Sequence, residues 1–292
     1  MIASALKTRI PDAPIQAPDT HTGEAPVSPG GRLLACDGLT KRFGAGPPAL
    51  DNVTFSIDRP QLTVLLGSSG SGKTTLLRTI AGLVPLDAGR IEIAGEALTP
   101  ASLARVRRRV GMVHQDFGLA DRLTAAQNVM AGAAVHLSWP RLLFQAYPRS
   151  VRLRACDLLA EVGLTETQAN RKARELSGGQ RQRVGIARAL IGQPQLFLAD
   201  EPVANLDPQT ASGILALMRE AIAAHGAGIL CSLHQTDLAC QFADRIIGLK
   251  AGRLVFDGSP AELTAQAAAA LFASAARDSD GGPDACRPKQ AL

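Results

Sequence analysis

Aromatic residues are scarce in this 292-residue chain, where eight Phe, one Tyr and one Trp make up 3% of the sequence. The basic residues are not interleaved with them, so nucleic-acid binding has little support and we expect no nucleic acid among the partners. The formal net charge of +5 is modest. It could favour anionic lipid headgroups, but we prefer to interpret it as solvated Arg side chains on helix surfaces.

Long apolar runs are also missing, since no uncharged apolar stretch reaches the roughly 18 residues that a membrane-spanning helix needs. The N-terminus lacks the basic segment and apolar region of a secretory signal, so we expect any membrane association to come through partners. Cys-x-x-Cys pairs are absent as well, which indicates reduced cytosolic thiols and argues against a metal site or a disulfide framework. The cysteines are Cys36, Cys156, Cys231, Cys240 and Cys286.

A glycine-rich loop follows a short apolar run at positions 61–66 and precedes a helical pattern. Strand, glycine turn and helix N-terminus form the context in which backbone N–H groups converge on a phosphate. In such a loop Lys73 reaches the β- and γ-phosphates and the Thr74 hydroxyl holds Mg²⁺. A glycine-rich loop without function is the alternative. The loop consists of Gly67, Ser68, Ser69, Gly70, Ser71, Gly72, Lys73 and Thr74.

A second motif, Leu-Ser-Gly-Gly-Gln at positions 176–180, is much rarer by chance than the loop. The two motifs in this order resemble the nucleotide-binding subunit of an ATP-binding cassette (ABC) transporter. The resemblance implies an α/β P-loop NTPase fold: a RecA-like parallel-sheet core, an N-terminal antiparallel β subdomain and an inserted α-helical subdomain. It also implies ATP hydrolysis coupled to transport, with ATP and Mg²⁺ bound at the loop, which extends to Thr75.

Two adjacent carboxylates end another apolar run, at positions 195–199, and resemble the Walker B strand of this family. By that resemblance, Asp200 lies beside the metal, usually through water, and Glu201 polarises the attacking water as a general base. The alternative is a strand that ends in two solvated acids.

Four further residues match the family pattern, although each is a weak signal alone. Gln115 matches the Q-loop glutamine that reaches the metal and the attacking water, and Asp207 matches the D-loop aspartate at the dimer interface. His234 matches the H-loop histidine that contacts the γ-phosphate, and Phe43 matches the aromatic residue that stacks on adenine. The alternatives are a surface Gln, a satisfied His at a strand end and a core Phe.

The second motif predicts a helix that begins near Gly178, with Ser177 as its cap. The free N–H groups and positive end of such a helix favour an anion. In the family, this motif closes on ATP held by the other subunit. One loop and one motif per chain therefore imply a head-to-tail homodimer with two ATP molecules. The motif residues that would contact the partner's ATP are Ser177, Gly178, Gly179 and Gln180.

The chain divides into a proline-rich extension expected to be disordered (1–31), an ABC ATPase domain (32–262) and a C-terminal helix with a loose tail (263–292). The 60 residues between Gln115 and Leu176 fit the helical subdomain, at about 116–175. Periodicity predicts the individual elements. The predicted strands are 33–36, 53–57, 62–66 and 90–93, and the predicted helices are 124–134, 151–162 and 259–272.

The flanks of the motifs resemble those of phosphonate-importer ATPases, at 115–124, 138–141, 232–239 and 242–249. The resemblance implies an importer of phosphonates, phosphite or phosphate esters, attached to the cytoplasmic face of the inner membrane through permease subunits. The cargo would be selected by the permeases and by a periplasmic binding protein that acts through them, and not by this chain. The chain departs from the branch in its long proline-rich N-terminus and in Thr74, where the branch has Ser, although either hydroxyl can ligate Mg²⁺.

Two other functions remain open. An ATPase of another importer, or of a lipoprotein-releasing exporter, would share every one of these residues, so the cargo rests on the branch resemblance alone. A non-transport ABC ATPase of DNA repair or translation typically has two cassettes or long coiled coils, whereas this chain has one compact cassette.

Overall fold

The computed structural model describes residues 32–114, 118–137, 146–204 and 206–272. The predictions for the N-terminal extension, for Gln115, for the 138–141 segment and for the C-terminal tail lie outside these ranges. None of the described helices is long and apolar enough to cross a membrane.

The strands of the described residues form two sheets. A four-stranded antiparallel sheet has the order β2-β1-β4-β5, and a six-stranded sheet has the order β10-β9-β3-β8-β7-β6. In the second sheet β9, β3, β8, β7 and β6 are parallel and β10 is antiparallel. The bounds are β1 Leu34–Lys41, β2 Leu50–Ile57, β3 Leu62–Leu66, β4 Ala88–Ile93, β5 Glu96–Ala97, β6 Val110–Val113, β7 Leu196–Asp200, β8 Gly228–Ser232, β9 Arg245–Lys250 and β10 Arg253–Gly258.

The central strands β3, β7 and β8 are buried at every residue, which explains why each reads as a continuous apolar run. Their side chains alternate between two cores. Val64 and Phe197 face the core shared with the helical region, whereas Leu65 and Leu198 face the core shared with the antiparallel sheet. The parallel sheet is therefore covered on both faces, and its strand ends are where polar residues can gather.

Helices cover the parallel sheet on both sides. The first helix follows the glycine-rich loop, and a group of short helices lies between β6 and β7. The bounds are α1 Lys73–Ile80, α2 Leu103–Arg108, α3 Ala125–Ala131, α4 Arg149–Glu161, α5 Glu166–Ala169, α6 Gly178–Leu190, α7 Pro208–Ala224, α8 Thr236–Phe242 and α9 Ala265–Phe272, with 3₁₀ turns at Gly132–His136, Ala173–Glu175 and Pro260–Glu262.

The helices between β6 and β7 pack around α6. A capping box between Thr124 and Gln127 begins α3. On the next turn the buried Asn128 accepts the N–H of Ala120 at 2.8 Å and donates to its carbonyl oxygen at 3.1 Å, which fixes the loop that enters this region. The structure therefore has the α/β P-loop fold that the motifs imply, with both the antiparallel sheet and a helical insertion.

The prediction of one helix over 259–272 was wrong. Ser259 and Glu262 form a capping box around a single 3₁₀ turn with Pro260 at its start. At Leu263 the backbone leaves helical geometry, with φ −78° and ψ 88°. The hydroxyl of Thr264 then accepts the N–H of Ala267 at 3.1 Å, so α9 begins anew. The helix predicted at 124–134 likewise tightens into a 3₁₀ turn at Gly132.

Candidate functional site

The carboxyl ends of three neighbouring parallel strands meet at one edge of the sheet. Ser232, the last residue of β8, pairs in register with Asp200 of β7 on one side and with Leu65 of β3 on the other. The glycine-rich loop leaves β3 one residue after Leu66. Open α/β sheets bind ligands beyond such strand ends, so the loop and the two acids lie where a site is expected.

Two loop positions require glycine. Gly72 has φ +106°, and a Cβ there would lie 2.4 Å from the carbonyl oxygen of Ala49. Gly67 has φ +153°, and a Cβ there would lie 2.2 Å from the carbonyl oxygen of Leu249. Because both obstacles are backbone atoms, the loop can follow this path only without side chains at these positions.

The loop ends at the N-terminus of α1, where Gly72 provides no side-chain cap for the N–H groups of the first turn. Lys73 donates to the carbonyl oxygens of Gly67 and Ser68 at 2.8 and 3.0 Å, and burial lowers its pKa although Glu201 and Asp200 oppose that shift. The Ser71 hydroxyl is buried without a hydrogen-bond partner in the described ranges. Uncapped N–H groups, a lysine and an unpaired hydroxyl fit the phosphates of a nucleotide.

Asp200 forms the oxygen-rich part of the site. It is 4% exposed, and its Oδ1 atom accepts the hydroxyls of Thr74 and Ser232, each at 3.0 Å. No group of three or more His, Cys, Asp or Glu residues in the described chain could hold a metal alone. Mg²⁺ commonly takes one or two carboxylates together with phosphate oxygens and water, so Thr74 and Asp200 fit it in a site completed by a nucleotide.

Glu201 has φ +49°, a left-handed conformation that is unusual for a residue with a long side chain. Its N–H donates to the Ser232 hydroxyl at 2.8 Å, and its Oε1 atom lies 2.5 Å from Nε2 of His234. In a continued strand, Asp200 and Glu201 would point to opposite faces of the sheet. The turn at Glu201 instead lets one carboxylate contact Thr74 while the next contacts His234.

The Q-loop prediction falls just beyond described residues. β6 ends at Val113 and His114 follows it, half-buried, whereas Gln115 lies outside the described ranges. Burial lowers the pKa of the His114 imidazole, and Arg188 and Arg78 lower it further. The predicted Q-loop glutamine therefore follows, two residues along the chain, the end of β6, which is the edge strand of the same sheet.

Phe43 lies in the loop between β1 and β2 and is 58% exposed, so the alternative of a core Phe is wrong. The ammonium of Lys41 lies 5.5 Å from the centroid of its ring. The same loop carries Ala49, whose carbonyl oxygen faces Gly72 of the glycine-rich loop. The exposed Phe43 ring therefore belongs to a segment that packs against the glycine-rich loop.

The Leu-Ser-Gly-Gly-Gln motif begins α6 as the sequence predicts. Ser177 accepts the N–H of Gln180 at 3.3 Å, and the Gln180 side chain accepts the N–H of Ser177 at 3.0 Å, which forms a reciprocal capping box. Ser177 and Gly178 are exposed at this end. The structure therefore presents a helix N-terminus outward, while the glutamine is used within the cap.

Asp207 has a local role that sequence reasoning missed. Its Oδ1 atom accepts the N–H of Thr210 at 3.0 Å directly before α7, whose first residue is Pro208. Hydrogen bonds from Thr210 hold the pKa of the Asp207 carboxyl below its ordinary value, with the side chain of Thr210 contributing more than its backbone N–H. An acidic residue followed by proline at the start of a helical pattern could have indicated this cap.

The hydrogen bonds of the described chain join Thr74, Asp200, Ser232, Glu201 and His234 into one network. Ser177 with Gln180, and Asp207 with Thr210, form separate local pairs. Sequence reasoning missed Ser232, the centre of the network, because a serine at the end of an apolar strand carries no motif of its own.

Comparisons with known proteins agree with this geometry. The family model described as "ABC transporter" matches residues 50–204. A phosphonates import ATP-binding protein PhnC of Hyphomonas neptunium is 55% identical over 232 residues, which are 80% of this chain and 89% of that protein. A phosphate-import ATP-binding protein PhnC of Mycolicibacterium smegmatis is 42% identical over 250 residues, 85% of this chain and 94% of that protein.

A solved structure has the same fold. The dimeric post-hydrolysis state of the ATP-binding cassette MJ0796, bound to ADP and Pi, superposes with a TM-score of 0.67 at 32% identity. The match covers 78% of this chain and 99% of that one. The chain therefore belongs to the ABC transporter family, as one of its ATP-binding subunits.

Proposed function

We propose that this chain is the ATP-hydrolysing subunit of a membrane importer for phosphonates. One observation carries the proposal: the hydrogen-bonded network that joins Thr74, Asp200, Glu201 and His234 beside an uncapped helix N-terminus. A loop that fits phosphate, a carboxylate suited to Mg²⁺ and a second carboxylate held by a histidine are the parts that ATP hydrolysis needs.

The loop binds the phosphates in this proposal. The N–H groups of the first turn of α1, the Ser71 hydroxyl and the Lys73 ammonium face the charge of the nucleotide. The Phe43 ring, exposed on the segment that contacts Gly72, stacks on the adenine. The Thr74 hydroxyl and the Asp200 carboxylate, together with Gln115, would hold Mg²⁺. Bound Mg²⁺ offsets the charge that develops on the transferred phosphoryl group.

The hydrolytic step belongs to Glu201 and His234. Glu201 accepts a proton from the attacking water as the general base. His234, 2.5 Å from that carboxylate, orients it and also reaches the terminal phosphate. A base that contributes about 10²–10⁴-fold makes Glu201 the residue whose neutral replacement should stop turnover while leaving nucleotide binding intact.

The site is completed by a second copy of the chain. Ser177, Gly178, Gly179 and Gln180 present the exposed N-terminus of α6, which favours an anion, and Asp207 lies at the interface. The solved relative that is described as a dimer bound to ADP and Pi supports a pair with two nucleotides. Two chains arranged head to tail would place each motif against the partner's glycine-rich loop.

Permease subunits attach the dimer to the cytoplasmic face of the inner membrane in this proposal. A groove of about 320 Å³, lined in part by His114, is the candidate docking site for the permease subunits. It is lined by Arg107, Arg108 and His136 together with Val135, which is 51% exposed. The two arginines beside an exposed apolar side chain suit a permease segment with acidic and apolar residues. A periplasmic binding protein acts through that permease.

The phosphonate cargo is supported by the name of the Hyphomonas neptunium relative and by the flanking segments of the motifs. The relative named for phosphate import favours inorganic phosphate as a second candidate cargo. Both are phosphorus oxyanions, and neither contacts this subunit. The cargo must therefore be tested by uptake.

Hydrolysis is tested with purified protein and Mg-ATP. We expect the wild type to release phosphate, EDTA to abolish the release, and Glu201→Gln to lower it about 10²-fold or more. Glu220→Gln, the same change on an exposed face of α7, should match the wild type. Turnover by Glu201→Gln at the rate of Glu220→Gln would refute the assigned base.

The cargo is tested by deleting the gene in its host. The deletion should stop growth on a phosphonate as the sole phosphorus source, and the wild-type gene, but not Glu201→Gln, should restore it. Growth on abundant inorganic phosphate should continue. Unchanged phosphonate uptake in a strain without a second copy of the system would refute this cargo, and a defect confined to phosphate uptake would assign phosphate instead.

A further inference from the structure

Ser232 is the most connected hydroxyl of the network, although the sequence assigns it no role. It is fully buried at the last position of β8 and pairs in register with Asp200 of β7 and with Leu65 of β3. It therefore lies between the strand that leads into the glycine-rich loop and the strand that ends at Asp200, directly before Glu201.

The Ser232 hydroxyl makes two hydrogen bonds of opposite direction. Its Oγ atom lies 3.0 Å from Oδ1 of Asp200 and accepts the N–H of Glu201 at 2.8 Å. An ionised carboxylate can only accept, so the single hydroxyl proton goes to Asp200 while a lone pair receives the N–H. A serine fills both roles with one short side chain, and alanine fills neither.

Each bond holds one functional carboxylate. Ser232 and Thr74 both donate to Oδ1 of Asp200, which leaves Oδ2, without a hydrogen bond in the described chain, for a metal or its water. The bond to the N–H of Glu201 fixes a residue at φ +49°, a conformation that persists only where the surroundings determine it. Through that turn, the Glu201 carboxylate reaches His234.

We propose that Ser232 is a positioning residue for hydrolysis, which orients Asp200 towards Mg²⁺ and holds the backbone turn that aims Glu201. This inference rests on the proposed ATPase function of the same site. Groups that orient metal ligands from outside the coordination shell typically change metal affinity or activity about 10–100-fold when they are removed.

The test compares three variants. Ser232→Ala removes both hydrogen bonds, and Ser232→Thr retains a hydroxyl that can form both. Thr63→Val is the matched control, because it removes another fully buried hydroxyl, on the neighbouring strand β3, whose hydrogen-bond partner is Gln61. Hydrolysis, ATP affinity with and without Mg²⁺, and amide hydrogen exchange of the 200–201 peptide without nucleotide are measured for each folded protein.

We expect Ser232→Ala to lower kcat about tenfold or more and to raise the half-saturating Mg²⁺ concentration by a similar factor. Its ATP affinity in EDTA should stay within about twofold of the wild type, because the loop and Lys73 are untouched. The Glu201 amide should exchange about tenfold faster or more after losing its acceptor. Ser232→Thr should restore all three properties, and Thr63→Val should change none.

The outcomes separate this inference from the proposed function. A wild type without Mg²⁺-dependent hydrolysis would overturn the function. An active wild type, matched within twofold by folded Ser232→Ala in kcat, Mg²⁺ response and Glu201 exchange, would overturn the positioning role alone. The role would also be overturned if Ser232→Ala lost ATP affinity equally with and without Mg²⁺. It would likewise be overturned if Thr63→Val lost as much kcat as Ser232→Ala, since either result indicates a packing effect. If Ser232→Ala does not fold, the proposal requires Ser232→Thr to keep the half-saturating Mg²⁺ concentration of the wild type. A higher half-saturating concentration in Ser232→Thr would contradict the proposal.

Discussion

Gly72→Ala tests whether the path of the glycine-rich loop depends on the absence of a side chain. The backbone at φ +106° costs about 1–3 kcal/mol for a residue with a Cβ. The added methyl would lie 2.4 Å from the carbonyl oxygen of Ala49, and such overpacking costs about 1–3 kcal/mol more. We expect the glycine-rich loop to shift away from Ala49 and the N-terminus of α1 to lose its alignment with the phosphates.

Gly95→Ala is the matched control, because Gly95 has φ +78° in the turn between β4 and β5 and a Cβ there would meet nothing within 4 Å. Both variants carry backbone strain, but only Gly72→Ala carries the clash. Thermal unfolding should therefore place the midpoint of Gly72→Ala about 2–12 °C below that of Gly95→Ala.

ATP affinity completes this test. Gly72→Ala should bind ATP about tenfold more weakly or worse, equivalent to about 1.4 kcal/mol, whereas Gly95→Ala should bind like the wild type. If the two variants had equal midpoints and equal ATP affinities, the contact between the loop and Ala49 would not determine the site, and the argument from Gly72 would fail.

Three further predictions concern the roles of individual side chains. Lys73→Ala should lose ATP binding and hydrolysis while its circular dichroism stays unchanged, and near-normal activity of the folded variant would refute the phosphate-binding loop. His234→Ala should lower kcat about tenfold or more, whereas His225→Ala, which contacts Glu161 instead, should not. Ser177→Arg should abolish hydrolysis, and mixing it with Lys73→Ala should restore about a quarter of wild-type activity, because half of the dimers regain one of two composite sites. No recovery in dimers that demonstrably mix would contradict the shared site.

Much of the fold could be predicted because its signals are local. The glycine-rich loop follows one apolar run and precedes one helix, so the strand, loop and helix that identify it lie within about 20 residues. The capping box of Ser177 and Gln180 likewise spans a single turn. The run that ends at Asp200 predicts a buried strand with acids at its tip, and both carboxylates lie where the three strand ends meet.

The remaining features depend on contacts between distant positions. Ser232 acts through the register that pairs it with Asp200, and one residue of slip would move its hydroxyl to the other face. The left-handed backbone of Glu201 follows from that contact and not from any preference of glutamate for turns. The break at Leu263 was missed because Pro260 and the following alanine-rich segment both suit a helix, whereas the two caps divide it.

The central claim is that two copies of this chain enclose ATP and hydrolyse it with Glu201. Size-exclusion chromatography of Glu201→Gln with Mg-ATP tests it most directly, because the variant keeps the shape of the side chain and loses the base. The account predicts a dimer that forms with Mg-ATP, persists without turnover and is absent when Lys73→Ala is added to the same chain. A Glu201→Gln protein that binds Mg-ATP and remains monomeric would contradict the account.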